Sequence, residues 1–220
     1  MDLSLEIQWL STHLDDIAYR TFQHIWLTAI AVTVGFLISF TLAVLAVRRR
    51  RTYGPIVAVS DLLYTIPSLA IFASLVSVTG ISLLTVQIPL VLYTLVIFVR
   101  NIAAGFDSIP RDVVEAADGL GYSGRSRLWR VEVPLAMPLI IAGLRLATVS
   151  TIGLVTVTAF LSDSFGGLGA FILEGYRRNF PFELYLGAVL SIGLALAADF
   201  SLARLQRRLT PWSTSELAKV

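Results

Sequence analysis

Apolar residues fall along this chain in five long blocks separated by polar stretches. Thr21 to Val47 carries no charge between Arg20 and Arg48, and it stops at the run Arg48-Arg49-Arg50-Arg51. Ile56 to Thr79 follows, with Asp61 near its start and Pro67 inside, and Gly80 marks a turn before the block Ile81 to Val99. A polar stretch intervenes before Pro138 to Leu161, which contains Arg145, and before Leu184 to Ala203, which contains Asp199. A helix crossing a bilayer needs about 20 mostly apolar residues. The pattern therefore predicts about five transmembrane helices, over 21–47, 56–79, 81–99, 138–161 and 184–203, in an all-α integral membrane protein. Pro67 and Pro89 are expected to kink their helices, which membranes tolerate where neighbouring groups satisfy the freed carbonyls.

Residues 1–20 read differently. Leu3, Ile7, Leu10, Leu14 and Ile17 share one helical face, and Asp2, Glu6, Asp15 and Asp16 occupy the rest, which predicts a short amphipathic helix. The segment lacks the basic start and apolar run of a secretory signal.

Composition supports the membrane reading. Hydrophobic residues make up 56% of the 220 and charged ones 15%, against about 45–50% and about 25% in a soluble domain. Cysteine is absent, which removes disulfides, thiolate metal sites and a cysteine nucleophile. A net charge of +2 gives no reason to expect a nucleic-acid partner; the lipid bilayer is the expected surroundings. The placement of the charges says more. Basic residues are retained on the cytoplasmic side of short loops. Placing the four-arginine run inside also places Arg100, Arg111, Arg125, Arg127, Arg130, Arg204, Arg207, Arg208 and Lys219 inside, and leaves Arg20, Arg177 and Arg178 outside. The expected arrangement is N-terminus outside and C-terminus cytoplasmic, with a transmembrane domain over 21–205, a cytoplasmic loop over 100–137 and a tail over 206–220.

Candidate chemistry is sparse. Gly119-Leu120-Gly121-Tyr122-Ser123-Gly124 matches G-x-G-x-x-G, but a dinucleotide site needs a preceding strand and a βαβ unit. A helical run precedes these glycines, so they read as a helix stop and turn. His13 and His24 are the only histidines and no carboxylates cluster with them, so no metal site is expected. No phosphate-binding G-x-x-x-x-G-K-[ST] loop occurs; if ATP drives this protein, another chain hydrolyses it. Asp61, Arg145 and Asp199 are the charges within the spans, at similar depths on the inner side at 1.5 Å per residue. Because a lone charge in hydrocarbon costs several kcal/mol, Arg145 is expected to pair with Asp61, Asp199 or both. In the cytoplasmic loop, Ser108 can cap a helix with Pro110 in its first turn. Ser123 can cap a second short helix ending before Pro134.

That loop carries a resemblance. Glu115-Ala116-Ala117, Gly121 after three further residues and Val131-x-Val133-Pro134 after nine more resemble the EAA loop of ABC importer permeases, with valines at its Ile and Leu positions. The resemblance implies a type I ABC importer permease fold, in which this loop is the coupling helix docking on a cytoplasmic ATPase subunit. A narrower resemblance rests on Tyr64-Thr65-Ile66-Pro67-Ser68-Leu69-Ala70, on Val99-Arg100-Asn101 leading to Ile109-Pro110, and on Ala142 to Val149. These are similar to the permeases for quaternary-amine osmoprotectants such as glycine betaine, choline, carnitine, proline and proline betaine. Phe165-Gly166-Gly167-Leu168-Gly169 resembles the outer glycine-rich loop of that branch, although Ser162-Asp163-Ser164 departs from the small apolar residues expected before it. Methionine and other amino-acid importers share parts of the pattern.

The resemblance implies a bacterial cytoplasmic-membrane subunit that is not itself an enzyme and binds no cofactor, ATP and Mg being held by partner ATPase subunits. A second permease chain, identical or sister, and an external substrate-binding protein complete the assembly. Arg177 and Arg178, in the glycine- and charge-bearing segment 163–183, are candidate contacts for that binding protein. Two other classes compete. A secondary carrier would show internal repeats, and five spans do not divide evenly; a membrane-embedded enzyme would need catalytic groups beyond Asp61, Arg145 and Asp199.

Overall fold

The computed structural model describes residues 3–213, so residues 1–2 of the expected outer segment and 214–220 of the expected tail lie outside the described residues. The described chain is helical. In order, its helices are α1 (Leu3–Thr12), α2 (Leu14–Arg48), α3 (Arg50–Thr65), α4 (Ser68–Thr79), α5 (Leu83–Asp107), α6 (Arg111–Gly119), α7 (Gly124–Arg127), α8 (Val133–Val157), α9 (Gly169–Arg177) and α10 (Pro181–Leu209). A π turn over Leu128–Glu132 joins α7 to α8, and short 3₁₀ turns occupy Thr158–Phe160, Asp163–Phe165 and Pro211–Ser213.

Four helical stretches are long and apolar enough to cross a membrane: Leu14–Arg48, Leu83–Asp107, Gly124–Phe160 and Pro181–Leu209. Arg51–Thr65 and Ser68–Thr79, bent sharply at the break between them, pass the same test together and make a fifth if the pair is one span. Each continuous stretch overruns the block read from hydropathy, because hydropathy marks where the surroundings are apolar and not where the backbone hydrogen bonds end. The expected kink at Pro67 is instead a break. Pro67, at φ −55 and ψ 130, stands ahead of α4 as its N-cap and makes no side-chain cap; residues preceding proline are also pushed from the α region. Pro89, by contrast, lies within the continuous α5. Along α10, Tyr185, Val189, Ile192, Leu196 and Phe200 are all exposed at helical spacing, the stripe a lipid-facing helix presents.

The helices gather into two compact units, and α2, α5, α8 and α10 each give a segment to both. The first comprises residues 1–33, 66–91 and 148–197. Its core is Leu27, Ala31, Phe72, Val86, Leu90 and Val155. In α1, Glu6 is buried while Leu5 and Ile7 are exposed, so the face packed inward is not the apolar face seen in the sequence. Trp9 is the inward anchor, stacked on His13 and edge-on to Phe171 and Phe182. That leaves Ile7 and Leu14 exposed. Close approach fixes α9: a Cβ at Gly169 would stand 2.1 Å from the Thr156 carbonyl oxygen.

The glycine-rich loop of this unit is held by two consecutive residues of α2. Gln23 donates to the Ser164 carbonyl at 2.7 Å and accepts from the Gly167 N–H at 2.9 Å. His24, fully buried, accepts from the Leu168 N–H through Nδ1 at 3.2 Å and donates through Nε2 to the Ile152 carbonyl at 3.0 Å. This use of both nitrogens requires the neutral imidazole with its proton on Nε2.

The second unit comprises residues 34–65, 92–147 and 198–220. Phe98, Val99, Ile102, Ala103, Ala136, Ile140 and Ile141 form its buried centre. Phe36 meets Phe98 edge-on at 5.4 Å, and Phe40 stacks on Trp129 at 5.6 Å. Arg48, at the end of α2, donates to the Gly124 carbonyl at 2.9 Å and ties that helix to the start of α7.

His24→Leu is expected to leave the Leu168 N–H buried without an acceptor, costing about 1–3 kcal/mol. Thermal unfolding of the detergent-solubilised protein should record a Tm lower by several degrees; an unchanged Tm would remove His24 as the support of the loop.

Candidate functional site

The segment expected to couple to an ATPase folds as α6, a tight stop, and α7. Leu120 N–H donates to Ala116 O at 3.0 Å, Gly121 N–H to Asp118 O at 3.0 Å and Tyr122 N–H to Ala117 O at 3.2 Å. The last two are the 5→2 and 6→1 bonds of a Schellman motif. Gly121 carries its left-handed residue, at φ +82, and nothing lies within 4 Å of the position a Cβ would take. The reason for glycine is therefore backbone conformation and not crowding within this chain. Most other residues there cost about 1–2 kcal/mol, Asn and Asp less.

Two expectations about the loop are corrected. Ser108 does not cap α6: its hydroxyl donates to Gly105 O at 2.8 Å, and Pro110 holds the N-cap position without a side-chain bond. Nor does the second helix end before Pro134. The chain passes through it, because the π turn at Leu128–Glu132 absorbs the register change next to a residue that has no N–H to give. Ser123 does cap α7, accepting from the Ser126 N–H at 3.4 Å.

The motif residues divide between inside and outside. Ala117 is buried, Pro134 is half-buried, and Glu115, Ala116 and Gly121 are exposed. Sequence reasoning missed the residue that holds the loop together. Arg127 bonds both carboxylate oxygens of Asp118 through Nη1 and donates from Nε to Glu132 Oε1 at 2.6 Å. One guanidinium thus joins the end of α6, α7 and the π turn. The available signal was an arginine flanked by acids nine residues before it and five after it.

The three charges of the spans do not form one cluster. Arg145 binds Asp199 in two parallel bonds, Nε to Oδ1 at 2.8 Å and Nη2 to Oδ2 at 2.9 Å. Its Nη1 donates to Gln206 Oε1 at 3.2 Å, while Gln206 Nε2 donates to Pro138 O at 3.1 Å. Asp61 is paired elsewhere, accepting from Arg100 Nη2 at 2.6 Å. Arg100, read as the end of a span, is the partner that counting depth alone overlooked.

In the first unit, Tyr176, Arg177 and Arg178 are all exposed, and Arg178 meets Glu174 at 2.6 Å. Arg20 bridges Asp16 and Asp163. Beside these pairs lies a cavity of about 180 Å³ walled by Trp9, Phe171, Arg178 and Glu183. Glu183 is 4% exposed, and its Oε2 has no hydrogen-bond partner.

A helical chain with four to five candidate spans and a capped, arginine-clamped loop between two of them has the form of a membrane permease subunit. Residues 31–211 match the family described as the binding-protein-dependent transport system inner membrane component, and the chain belongs to that family. It is a multi-pass inner-membrane permease of a bacterial ABC transporter, from a family without catalytic activity. The family implies ATPase and binding-protein partners. Among its relatives, the osmoprotectant import permease protein OsmW of Salmonella typhimurium is 38% identical over 200 residues, 89% of this chain and 92% of the relative. The choline transport system permease protein OpuBB of Bacillus subtilis is 32% identical, over 97% of this chain and 98% of its own. The glycine betaine/carnitine/choline permease protein OpuCB of the same organism is 31% identical, over 92% and 93%. In fold the chain is similar to the MetNI methionine ABC transporter in an inward-facing crystal structure, with a TM-score of 0.78 at 18% identity, over 93% of this chain and 98% of that one.

Exchanging the charges of the bidentate pair tests its role. Arg145→Asp is expected to impair transport, and adding Asp199→Arg should recover part of it, while adding Asp61→Arg should recover none. Recovery by the Asp61 exchange, or normal transport by Arg145→Ala, would contradict the pairing in its functional sense.

Proposed function

We propose that this chain is the permease subunit of an ATP-driven importer of quaternary-amine osmoprotectants such as glycine betaine, choline and carnitine. What carries the reading is identity of 38% to a permease named for osmoprotectant import and of 31–32% to permeases named for choline and for glycine betaine/carnitine/choline, each over nearly the whole chain. The loop that would couple it to ATP hydrolysis is folded around the Gly121 stop and the Arg127 clamp. Methionine import has no comparable support, since likeness at 18% identity bears on the fold alone.

In this reading the N-terminus lies outside and the C-terminus inside, as the arginine bias requires. Two permease chains, identical or sister, pair with two ATPase subunits that hold ATP and Mg. Glu115, Ala116 and the Gly121 turn meet the ATPase, and Ala117 and Pro134 seat that surface on the rest of the chain. ATP binding draws the ATPases together, the α6 surface moves with them, and the spans exchange between inward and outward states. The Arg145–Asp199 pair keeps α8 and α10 moving as one piece in the second unit. An external binding protein delivers the cargo. Arg177 and Arg178 are both candidate contacts for it, since the exposed pair of Arg178 with Glu174 costs little to open.

The complete transporter in proteoliposomes should import glycine betaine or choline with ATP inside and cargo-loaded binding protein outside. Gly121→Asp should abolish import while leaving insertion intact. Normal import by that variant would remove the coupling role of the loop, and import of methionine alone would overturn the osmoprotectant reading.

Arg177→Glu should weaken binding-protein-stimulated ATP hydrolysis, most at low salt, where surface charges are least screened. Equal stimulation at every ionic strength would leave Arg177 without that role.

A further inference from the structure

We propose that the cavity beside the Asp61–Arg100 pair receives the cargo during translocation, and that it is built for a zwitterion with a quaternary ammonium end. The inference rests on the osmoprotectant reading and adds to it a contact on this chain. The cavity, of about 460 Å³, lies within the second unit. Asp61 and Tyr64 line it from α3, Arg100 and Asn101 from α5, and Val96 and Leu146 contribute apolar wall.

The two ion pairs of this unit differ in kind. Arg145 and Asp199 are locked by two parallel bonds, with Gln206 on a third donor of the arginine. Arg100 and Asp61 share a single bond, Nη2 to Oδ2, and their side chains are 58% and 38% exposed. The second pair therefore keeps guanidinium donors and one carboxylate oxygen in reserve. It also opens at small cost, because exposed pairs contribute little net stability.

An open ion pair is complementary to a zwitterion. The cargo carboxylate takes the guanidinium of Arg100, which suits planar two-point contact with a carboxylate. The cargo cation then faces Asp61. A quaternary ammonium group has no N–H to donate, so hydrogen bonding cannot recognise it; a nearby negative charge and an aromatic face can. Tyr64 supplies that face one helical turn from Asp61. Its ring is steadied edge-on by Tyr93, with centroids 5.5 Å apart. The floor of the cavity is held firmly as well. Asn101 donates to Ile97 O at 2.8 Å, and its Cβ fills the space a side chain at Gly143 would take, 2.6 Å from that Cβ position. Charge, aromatic face and carboxylate receptor thus stand together in one space.

Glycine betaine and choline separate the two ends of the site, since choline has the trimethylammonium group and no carboxylate. Import by the complete transporter in proteoliposomes is measured for each cargo at saturating loaded binding protein, so that the rate reports translocation and not delivery. Arg100→Gln should lower the glycine betaine rate by about tenfold or more and the choline rate by less than about twofold, as loss of one charge-assisted contact implies. Tyr64→Ala should lower both rates, and Tyr64→Phe should restore them. Because Arg100→Gln leaves Asp61 unpaired, the neutral pair Asp61→Asn with Arg100→Gln is measured alongside. A cargo site loses both compounds in that double variant, whereas a merely structural ion pair, replaced by two neutral groups, regains both. Equal loss of the two cargoes in Arg100→Gln, or recovery in the double variant, would overturn the site and leave the osmoprotectant reading intact. Import of neither compound by the unaltered transporter would overturn that reading and this site with it.

Discussion

Inside a bilayer no polar group reaches water, so each must find its partner within protein. For the backbone this constraint gives long helices, and it decides how their irregularities are resolved. At Pro67 the helix stops and a new one starts. For side chains it gives the bidentate bond of Arg145 to Asp199, with Gln206 accepting from a third donor and tying itself to Pro138. It also explains why a buried histidine and glutamine sit in α2, where three of their bonds satisfy the glycine-rich loop and its approach and the fourth reaches Ile152 O in α8. Those bonds let a loop without regular helix pack against a span.

The loop of α6 and α7 obeys a different demand, since in the proposed function it presents a surface to a partner and still holds its shape. Exposed helices as short as α6, nine residues, are marginal alone. Its end is fixed by the Schellman turn at Gly121, and its position by the bonds of Arg127 to Asp118 and Glu132. Burial of Ala117 beneath the exposed Glu115 and Ala116 then lets one short motif serve two purposes. Its inner alanine seats the helix, and its outer residues stay available to a partner. A larger residue at 117 would lift the whole surface.

The spans and the loop were legible in the sequence because both depend on local pattern, apolar run length in one case and turn chemistry in the other. Gly121 could be read as a stop because only a left-handed residue ends a helix that way. Details set by competition between nearby acceptors were not legible: Ser108 had the composition of a cap, yet Gly105 O lies within its reach and takes the hydroxyl. Depth along a span was a fair guide to Asp199, but pairing also depends on rotation about the helix axis, which short apolar blocks do not encode. Asp61 consequently finds Arg100, a residue that hydropathy assigns to a boundary. In α1 the failure was of the same kind, since an aromatic anchor, Trp9, outweighed a stripe of aliphatic residues in choosing the inward face.

The contrast between the two ion pairs carries a consequence for the transport cycle. A pair joined by two parallel bonds, with a third from Gln206, gives less readily to a ligand than a pair joined by one, so it suits a joint between helices that must move together. A pair closed by one bond holds the resting geometry and still yields to any species that offers both charges at once. For a zwitterionic cargo the exchange conserves the number of charge contacts, which keeps the site shallow in free energy. A shallow site is what translocation requires, because a cargo bound tightly within the membrane would be a cargo not released. In the proposed site, specificity can then reside in the external binding protein, while the permease asks for a cation soft enough to rest on Tyr64 and gains a second contact where the cargo also carries a carboxylate.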